Sequence, residues 1–509
     1  MNFMESMENQ MNQLPHNISY TENGAVGYRT SGKKLLDLNF SVSSLRSRDD
    51  VEIVKAFTRA FYENKLYAIK WLFFVSDIRY GMGERRLFKL CFSWLAQVYP
   101  EIAIALLKYV SEYSRWDNIL PLLDNDNLRN YIVALIKDQL DNDYLNMQQN
   151  KPISLLAKWV PSVNSNSKET RKKALTIIKT LGINCAIYRT TLSELRRYLD
   201  VVEVKMCANN WDKINYEAVP SKANILYNGA FMKHDKKRRT HYLEQLEKGE
   251  AKINSSVCFP HDIVNKYRSK RMYNLYEKDA ALEAMWKSLP DYVKDAENII
   301  SVIDTSYSMR IKISNKSDIS AKDVAFALGI YFTERSSGQF KDKAILFSST
   351  PRIIDFSSCN TLADKLTYLS TYNDCSNTYI QGVFELILNT AVANHMKQED
   401  LPKTILIISD MEFDRGTKDD VNSALFDNLR RCFNDYGYVM PRLVFWNVCS
   451  RTNTIPITEN EAGVTLISGF ATPTINMVLS GKTDPYECLF EQINSERYQP
   501  IEDAIKEYL

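Results

Sequence analysis

The chain has 509 residues, 45% apolar and 25% charged, with 64 Lys and Arg against 62 Asp and Glu. That composition excludes a disordered tail, a collagen-like repeat and a small disulfide scaffold, and the length suits roughly two to four domains. The formal net charge of +2 hides a segregation: residues 1–150 carry 17 basic and 18 acidic side chains, residues 151–290 carry 26 and 14, and residues 291–509 carry 21 and 30.

Met1 to Gln10 is acidic and polar, so no signal peptide is expected. No apolar run approaches the roughly 18–20 residues that span a bilayer, so no membrane is expected as a partner. Nine cysteines without a C-x-x-C pair point to free thiols in a reducing, cytoplasmic setting.

Residues 1–50 read as a polar lead-in. Within it Gly27-Tyr28-Arg29-Thr30-Ser31-Gly32-Lys33 matches the first seven positions of a phosphate-binding P-loop, but Lys34 stands where Ser or Thr should meet Mg2+. The segment is read as a Gly-rich turn. From Val51 the apolar period becomes helical. Leu87, Leu90, Cys91, Trp94, Leu95 and Val98 form one stripe, and similar patterns occupy Val51–Tyr62, Leu66–Phe74, Ile102–Val110 and Asn130–Leu140. They continue through Lys168–Leu181 and Thr191–Val201, loosen into loops near Trp211–Gly229, and resume at Arg239–Leu246 and Ala280–Leu289. Stacked helical pairs of this kind predict an irregular, HEAT-like α-helical repeat region over residues 51–290. Arg79, Glu84 and Arg85 are read there as an inter-helix ion-pair set.

After Pro290 short Ile- and Val-rich runs alternate with helical stretches: Asn298–Ile303, Ala344–Phe347, Thr404–Ile408, Arg442–Val448 and Val464–Ile467 are the expected strands. Continuously apolar strands in βα alternation predict a parallel sheet covered on both faces. The expected fold is therefore multidomain, a helical region followed by a doubly wound, Rossmann-like α/β domain over residues 291–509.

The first of these strands runs straight into Asp304-Thr305-Ser306-Tyr307-Ser308. In an open α/β sheet, ligands gather outside the carboxyl ends of the strands. Alternating Asp304, Ser306 and Ser308 can aim one carboxylate and two hydroxyls at a common point. Thr378 before a later helix and Asp410 directly after the strand Thr404–Ser409 add two oxygen donors. Mg2+ takes oxygen ligands, keeps several waters and needs few carboxylates, so Mg2+, or another divalent cation such as Mn2+, is the expected cofactor. Glu412, Asp414, Asp419 and Asp420 fit no Ca2+ loop and are read as a solvated loop. His234, His241 and His261 lack Cys partners at zinc spacing, although Cys258 lies near His261, and no zinc site is expected.

The D-x-S-x-S, Thr, Asp order resembles the metal-ion-dependent adhesion site of von Willebrand factor A domains. That resemblance implies Asp304, Ser306, Ser308 and Thr378 as direct or water-mediated ligands, Asp410 as a ligand mostly through water, and a partner's acidic group completing the shell. The tracts Thr21–Ala25 (TENGA), Asp77–Arg85 (DIRYGMGER), Ser114–Asp117 (SRWD), Leu155–Arg171 and Ile408–Asp414 (ISDMEFD) are similar to an uncharacterised family that pairs Ro-like helical repeats with a von Willebrand A domain. This similarity runs over nearly the whole chain. More distantly it resembles the Ro (TROVE-module) ribonucleoproteins, which implies RNA as a partner.

Three basic clusters supply much of the positive middle: Lys168, Arg171, Lys172 and Lys173; Lys233, Lys236, Lys237, Arg238 and Arg239; and Lys266, Arg268, Lys270 and Arg271. Clustered cations are the footprint of phosphate binding, with Tyr242, Tyr267 and Tyr273 as nearby candidates for base stacking. Pairing with the acidic C-terminal segment accounts equally for the same charges. The leading expectation is a non-catalytic, Mg2+-dependent binding protein engaging RNA or an RNA–protein assembly. The alternatives are a protein-interaction scaffold without nucleic acid, and a metal-dependent phosphodiester hydrolase whose candidate bases are Glu412 and Asp414.

Overall fold

The Ile- and Val-rich runs form the strands of a six-stranded sheet. β-Branched side chains pack well on a pleated surface, and every residue of the segments Ile299–Asp304, Thr404–Ser409 and Val464–Ser468 is buried. The computed structural model describes residues 17–268, 275–293, 298–314, 317–347, 351–372, 380–413, 422–456, 463–475, 477 and 484–509. Its strands are β1 (Ile18–Tyr20), β2 (Val26–Tyr28), β3 (Ile299–Asp304), β4 (Lys343–Phe347), β5 (Arg352–Asp355), β6 (Thr404–Ser409), β7 (Arg442–Asn447) and β8 (Val464–Ser468). β1 and β2 pair as a small antiparallel sheet, and the large sheet has the order β5-β4-β3-β6-β7-β8. Within it β4, β3, β6, β7 and β8 are parallel and β5 is antiparallel to β4. The fold is thus mixed α/β, with helical and sheet-containing parts. Among the described residues no helix is long and apolar enough to cross a membrane.

The chain divides into two compact units that do not follow the expected boundary near 290. One is the α/β unit, Met1–Asn64 with Ser255–Ile493, and the other is the helical unit, Lys65–Asn254 with Asn494–Leu509. The residues expected as a lead-in, the helix Asp50–Glu63 and the helices Pro260–Arg268 and Ala280–Lys287 all belong to the α/β unit. Long-range polar contacts explain the difference. Tyr28 exchanges two backbone hydrogen bonds of 2.8 Å with Ile455, and a Cβ on Gly27 would lie 2.4 Å from Thr454 Cγ2. Gly27 thus serves close backbone approach. The adjacent helix Lys34–Phe40 receives the Glu63 carboxylate on the amides of Lys34 and Leu35, at 2.9 and 3.1 Å. Those donors are taken, and within the P-loop-like tract the amides of Arg29, Thr30 and Ser31 are bound to Asn17 and Asp37, so these amides form no phosphate cradle. Likewise buried Glu283 accepts Tyr267 Oη at 2.6 Å and the amides of Leu362 and Ala363 at 2.9 and 3.1 Å, capping the helix Leu362–Thr371.

The helix Ala321–Arg335 lies on the sheet with Ser320 and Asp323 in a reciprocal capping box. A Cβ on Gly329 would fall 2.3 Å from Ile303 Cδ1, one residue before Asp304. Gly329→Val is therefore expected to lower stability by about 1–3 kcal/mol through overpacking, and Ile303→Val should recover part of that loss in a double-mutant cycle read by chemical denaturation.

In the helical unit the helix Arg85–Val98 buries Leu87, Phe88, Cys91, Phe92, Leu95 and Ala96. The stripe is rotated toward Phe88 and Phe92, whose rings meet Phe73 at 5.6 and 6.3 Å, while Val98 is exposed. Arg85 titrates below its usual range because of burial and the nearby Arg115 guanidinium. A helix over Ser221–His234 stands where loops were expected.

Candidate metal centre

β3 is followed in sequence by β4 and β5 on one side, whereas the chain returns to place β6, β7 and β8 on the other. The order therefore reverses between β3 and β6, and the crevice at their carboxyl ends is the favoured ligand position of such a sheet. Asp304 ends β3 and Asp410 directly follows β6. Both are fully buried.

Local hydrogen bonds fix the first loop. Asp304 Oδ1 accepts the Ser306 amide at 2.8 Å, and the resulting turn brings the Ser306 and Ser308 hydroxyls within 2.9 Å of each other. Asp304 Oδ2 accepts Ser409 Oγ at 2.6 Å, and Ser409 Oγ accepts the Met411 amide at 3.0 Å. Met411 takes φ = 63°, a left-handed conformation that non-glycine residues adopt only when their surroundings impose it.

Asp410 Oδ1 accepts the Glu412 amide at 3.2 Å, while Oδ2 is buried and accepts no hydrogen bond from the described residues. Among the described residues the counter-charge paired with Oδ2 is the Arg451 guanidinium at 3.6 Å. Burial and then the Asp304 carboxylate push the Asp410 carboxyl up to about 7, against the opposing pull of the Ser308 hydroxyl, the Glu412 amide and Arg451. An orphaned carboxylate oxygen beside a second carboxylate and two hydroxyls suits a hard cation of Mg2+ type. Among the described residues no three His, Cys, Asp or Glu side chains converge on a metal position, so any cation here relies on hydroxyls and water besides the two aspartates. Thr378 lies outside the described residues.

Glu412 is buried, not part of a solvated loop. Its Oε1 accepts the amides of Arg451 and Thr452 at 2.7 and 3.0 Å and the Ser450 hydroxyl at 3.3 Å. Oε2 accepts the Glu22 amide at 2.7 Å, and the Thr452 hydroxyl lies 3.1 Å from both oxygens. Thr21 Oγ1 donates to the Phe413 carbonyl at 2.6 Å and Asn23 Nδ2 to the Glu412 carbonyl at 2.7 Å. The TENGA and ISDMEFD tracts are therefore one hydrogen-bonded cluster. Sequence reasoning missed it because no local pattern joins segments 390 residues apart. Asp414, Asp419 and Asp420 lie outside the described residues.

The basic clusters divide between the units. Lys168, Arg171, Lys172 and Lys173 lie on the helix Lys168–Leu181. There Arg171 donates to the Ser165 carbonyl at 2.6 Å, Lys172 approaches Asp124 at 3.4 Å and Lys173 pairs with Glu169 at 2.7 Å. Lys233, Lys236 and Lys237 are exposed. Arg238 binds Asp235 at 2.8 Å and the carbonyls of Trp211 and Ile214. Arg239, expected to face RNA, is fully buried: its guanidinium sits over Tyr216, Phe231 and Tyr242 and bonds Asn228 at 2.9 Å. Lys266 and Arg268 belong to the α/β unit, where Arg268 pairs with Asp323 at 2.7 Å. Lys270, Arg271 and Tyr273 lie outside the described residues. Tyr242 and Tyr267 are buried and so present no face for base stacking.

Comparison with known proteins corrects the family resemblance. Residues 21–118 and 167–299 match the family model described as a domain of unknown function, DUF2828, and residues 298–506 match another, DUF7788. The second match begins at β3. An uncharacterized protein of Acanthamoeba polyphaga mimivirus, L728, is 28% identical over 507 aligned residues that cover 92% of this chain and 85% of the viral one. These matches indicate neither a von Willebrand factor A nor a Ro relationship, and they take the place of both. The quoted tracts Thr21–Ala25, Asp77–Arg85, Ser114–Asp117 and Ile408–Asp414 fall within these two matched regions, whereas Leu155–Asn166 falls in neither.

Proposed function

We propose that the α/β unit is a non-catalytic, divalent-cation-dependent binding module. Asp304, Asp410, Ser306 and Ser308 would hold Mg2+ or Mn2+, and the cation would offer open coordination positions to an acidic group on a protein partner. The observation that carries this reading is the buried Asp410 Oδ2, which accepts no hydrogen bond from the described residues. We read the sheet as doubly wound and the helical unit as an irregular HEAT-like stack. Glu412 already accepts from five donor groups, which disfavours it as the general base of a phosphodiester hydrolase; the other candidate base, Asp414, lies outside the described residues.

The test is thermal unfolding with and without millimolar Mg2+ or Mn2+. A cation at about 100 times its dissociation constant adds roughly 2.7 kcal/mol, and Asp304→Ala or Asp410→Asn should abolish the gain. An unchanged midpoint in the wild-type chain would reject the reading. The pH dependence has a defined sign. The folded Asp410 carboxyl is raised to about 7, above an unfolded value of about 3.9. Without cation its contribution to stability is therefore present below the unfolded value and lost as pH rises through about 7. The cation-induced gain should run oppositely, growing between pH 6 and 8 as the competing proton leaves, and Asp410→Asn should flatten both trends.

A second reading, RNA binding by the helical unit, is supported by the exposed Lys233, Lys236 and Lys237 beside a Trp211–His234 ring stack with centroids 4.5 Å apart. Lys236→Glu with Lys237→Glu should weaken single-stranded RNA binding and reduce its salt slope by about 1–2. A wild-type chain without RNA affinity at low salt would remove this reading.

A further inference from the structure

We propose that Arg451 is the resident counter-cation of the Asp304–Asp410 centre, and that an incoming divalent cation must push it away from Asp410 and leave it on Glu22, with which it already pairs. The inference rests on the cation-binding reading above and concerns how that site is regulated. Arg451 lies just after β7. Its backbone is pinned, since the amide donates to Glu412 Oε1 at 2.7 Å and the carbonyl accepts from the Arg48 guanidinium. Only its side chain is left to choose between carboxylates. That side chain is 28% exposed and stands between two of them: it pairs with Glu22 Oε2, and a terminal nitrogen lies 3.6 Å from Asp410 Oδ2.

The two contacts differ in kind. The distance to Asp410 exceeds that of a charge-assisted hydrogen bond, so Arg451 compensates the charge of Asp410 without satisfying its oxygen. A divalent cation would do both. Two positive charges shared by Asp304 and Asp410 cancel the attraction that holds Arg451 near Asp410, and Glu22 gives the guanidinium a place to remain. Glu22 sits on a turn whose own amide is bound to Glu412, and its carboxylate is half exposed, so retaining Arg451 requires no rearrangement of the turn. Affinity at the centre is then set by three groups: Asp410 attracts the cation, Arg451 competes with it, and Glu22 draws the competitor away.

Isothermal titration of the full-length chain with MnCl2 tests this through variants of opposite sign. Arg451→Gln should tighten Mn2+ binding by roughly three- to tenfold, as expected for removal of one partly screened charge. It should also lower the unfolding midpoint measured without metal, because the two aspartates lose their counter-charge. Glu22→Gln should weaken Mn2+ binding, since Arg451 then rests wholly on Asp410, and Arg451→Lys, which keeps the charge, should stay near wild type. If Arg451→Gln weakens binding or leaves it unchanged, the proposal is overturned and Arg451 is a structural residue only. Wild-type binding that vanishes in Asp410→Asn upholds the cation site independently of that result. Absence of Mn2+ binding in the wild type and in Arg451→Gln alike would overturn both.

Discussion

Glu412→Ala is expected to destabilise the α/β unit by about 3–5 kcal/mol, a substantial part of a domain's total stability. The carboxylate binds the amides of Glu22, Arg451 and Thr452 and the hydroxyls of Ser450 and Thr452. Alanine leaves these donors without an acceptor in a buried place, and the penalty for unmade bonds exceeds the net worth of made ones. Three segments lose their common anchor: the 21–25 turn, the loop after β6 and the loop after β7. Hydrogen exchange should show the amides of Glu22, Arg451 and Thr452 losing protection together, while Lys65–Asn254 of the helical unit keeps its own. Glu412→Gln should recover only part of the loss, because its amide group presents donors to donors. Retention of full protection in Glu412→Ala would show that the turn is held by other means.

Removing residues 494–509 is expected to unfold the helical unit. Tyr498, Ile501 and Ile505 are buried there, and each such side chain contributes on the order of 1.5–3 kcal/mol. Tyr498 stacks on Tyr113 with ring centroids 5.6 Å apart and meets the edge of Phe74 at 6.0 Å. Arg497 pairs with the buried Asp77. Lys70, fully buried, donates to Asn494 Oδ1 at 2.6 Å and pairs with Glu502 at 2.8 Å. The truncated chain should lose resistance to limited proteolysis across Lys65–Asn254. Point variants separate packing from charge. Glu502→Ala leaves a buried ammonium without its counter-charge and should cost about 3 kcal/mol, whereas Lys70→Met leaves only the partly exposed Glu502 carboxylate, which water can solvate, and should cost less. Equal losses would indicate that the ion pair adds nothing beyond its shape.

Periodicity made most elements legible, because burial on one or two faces writes a local repeat. The stretch Lys168–Leu181 was assigned with its observed ends, and the strands Thr404–Ser409 and Val464–Ser468 within one residue of theirs. β5 was missed because Arg352–Asp355 is a short edge strand that buries only Ile354, so it lacks the apolar run of its neighbours. The helix Ser221–His234 was obscured because it buries only Ser221, Asn224 and Phe231, too little for a visible stripe. The compact units differ from the division expected from sequence for another reason: nothing local marks Glu63 or Glu283, Glu412 reads as a solvated-loop carboxylate, and the distant backbone partners of all three are invisible in sequence.

Sequence by itself determined where the five parallel strands β3, β4, β6, β7 and β8 run and that Asp304 and Asp410 stand at the carboxyl ends of two of them, since an apolar strand run is a local property. The charge segregation was equally plain, but its meaning was not. Tertiary structure alone decided that Arg239 is enclosed by aromatic rings, that Arg268 pairs within the α/β unit, that Glu412 is buried, and that one oxygen of Asp410 receives no hydrogen bond from the described residues. Each of these depends on which distant segment covers a polar group. Burial and pairing, not residue type, fix whether a charge faces solvent, a partner or a cation.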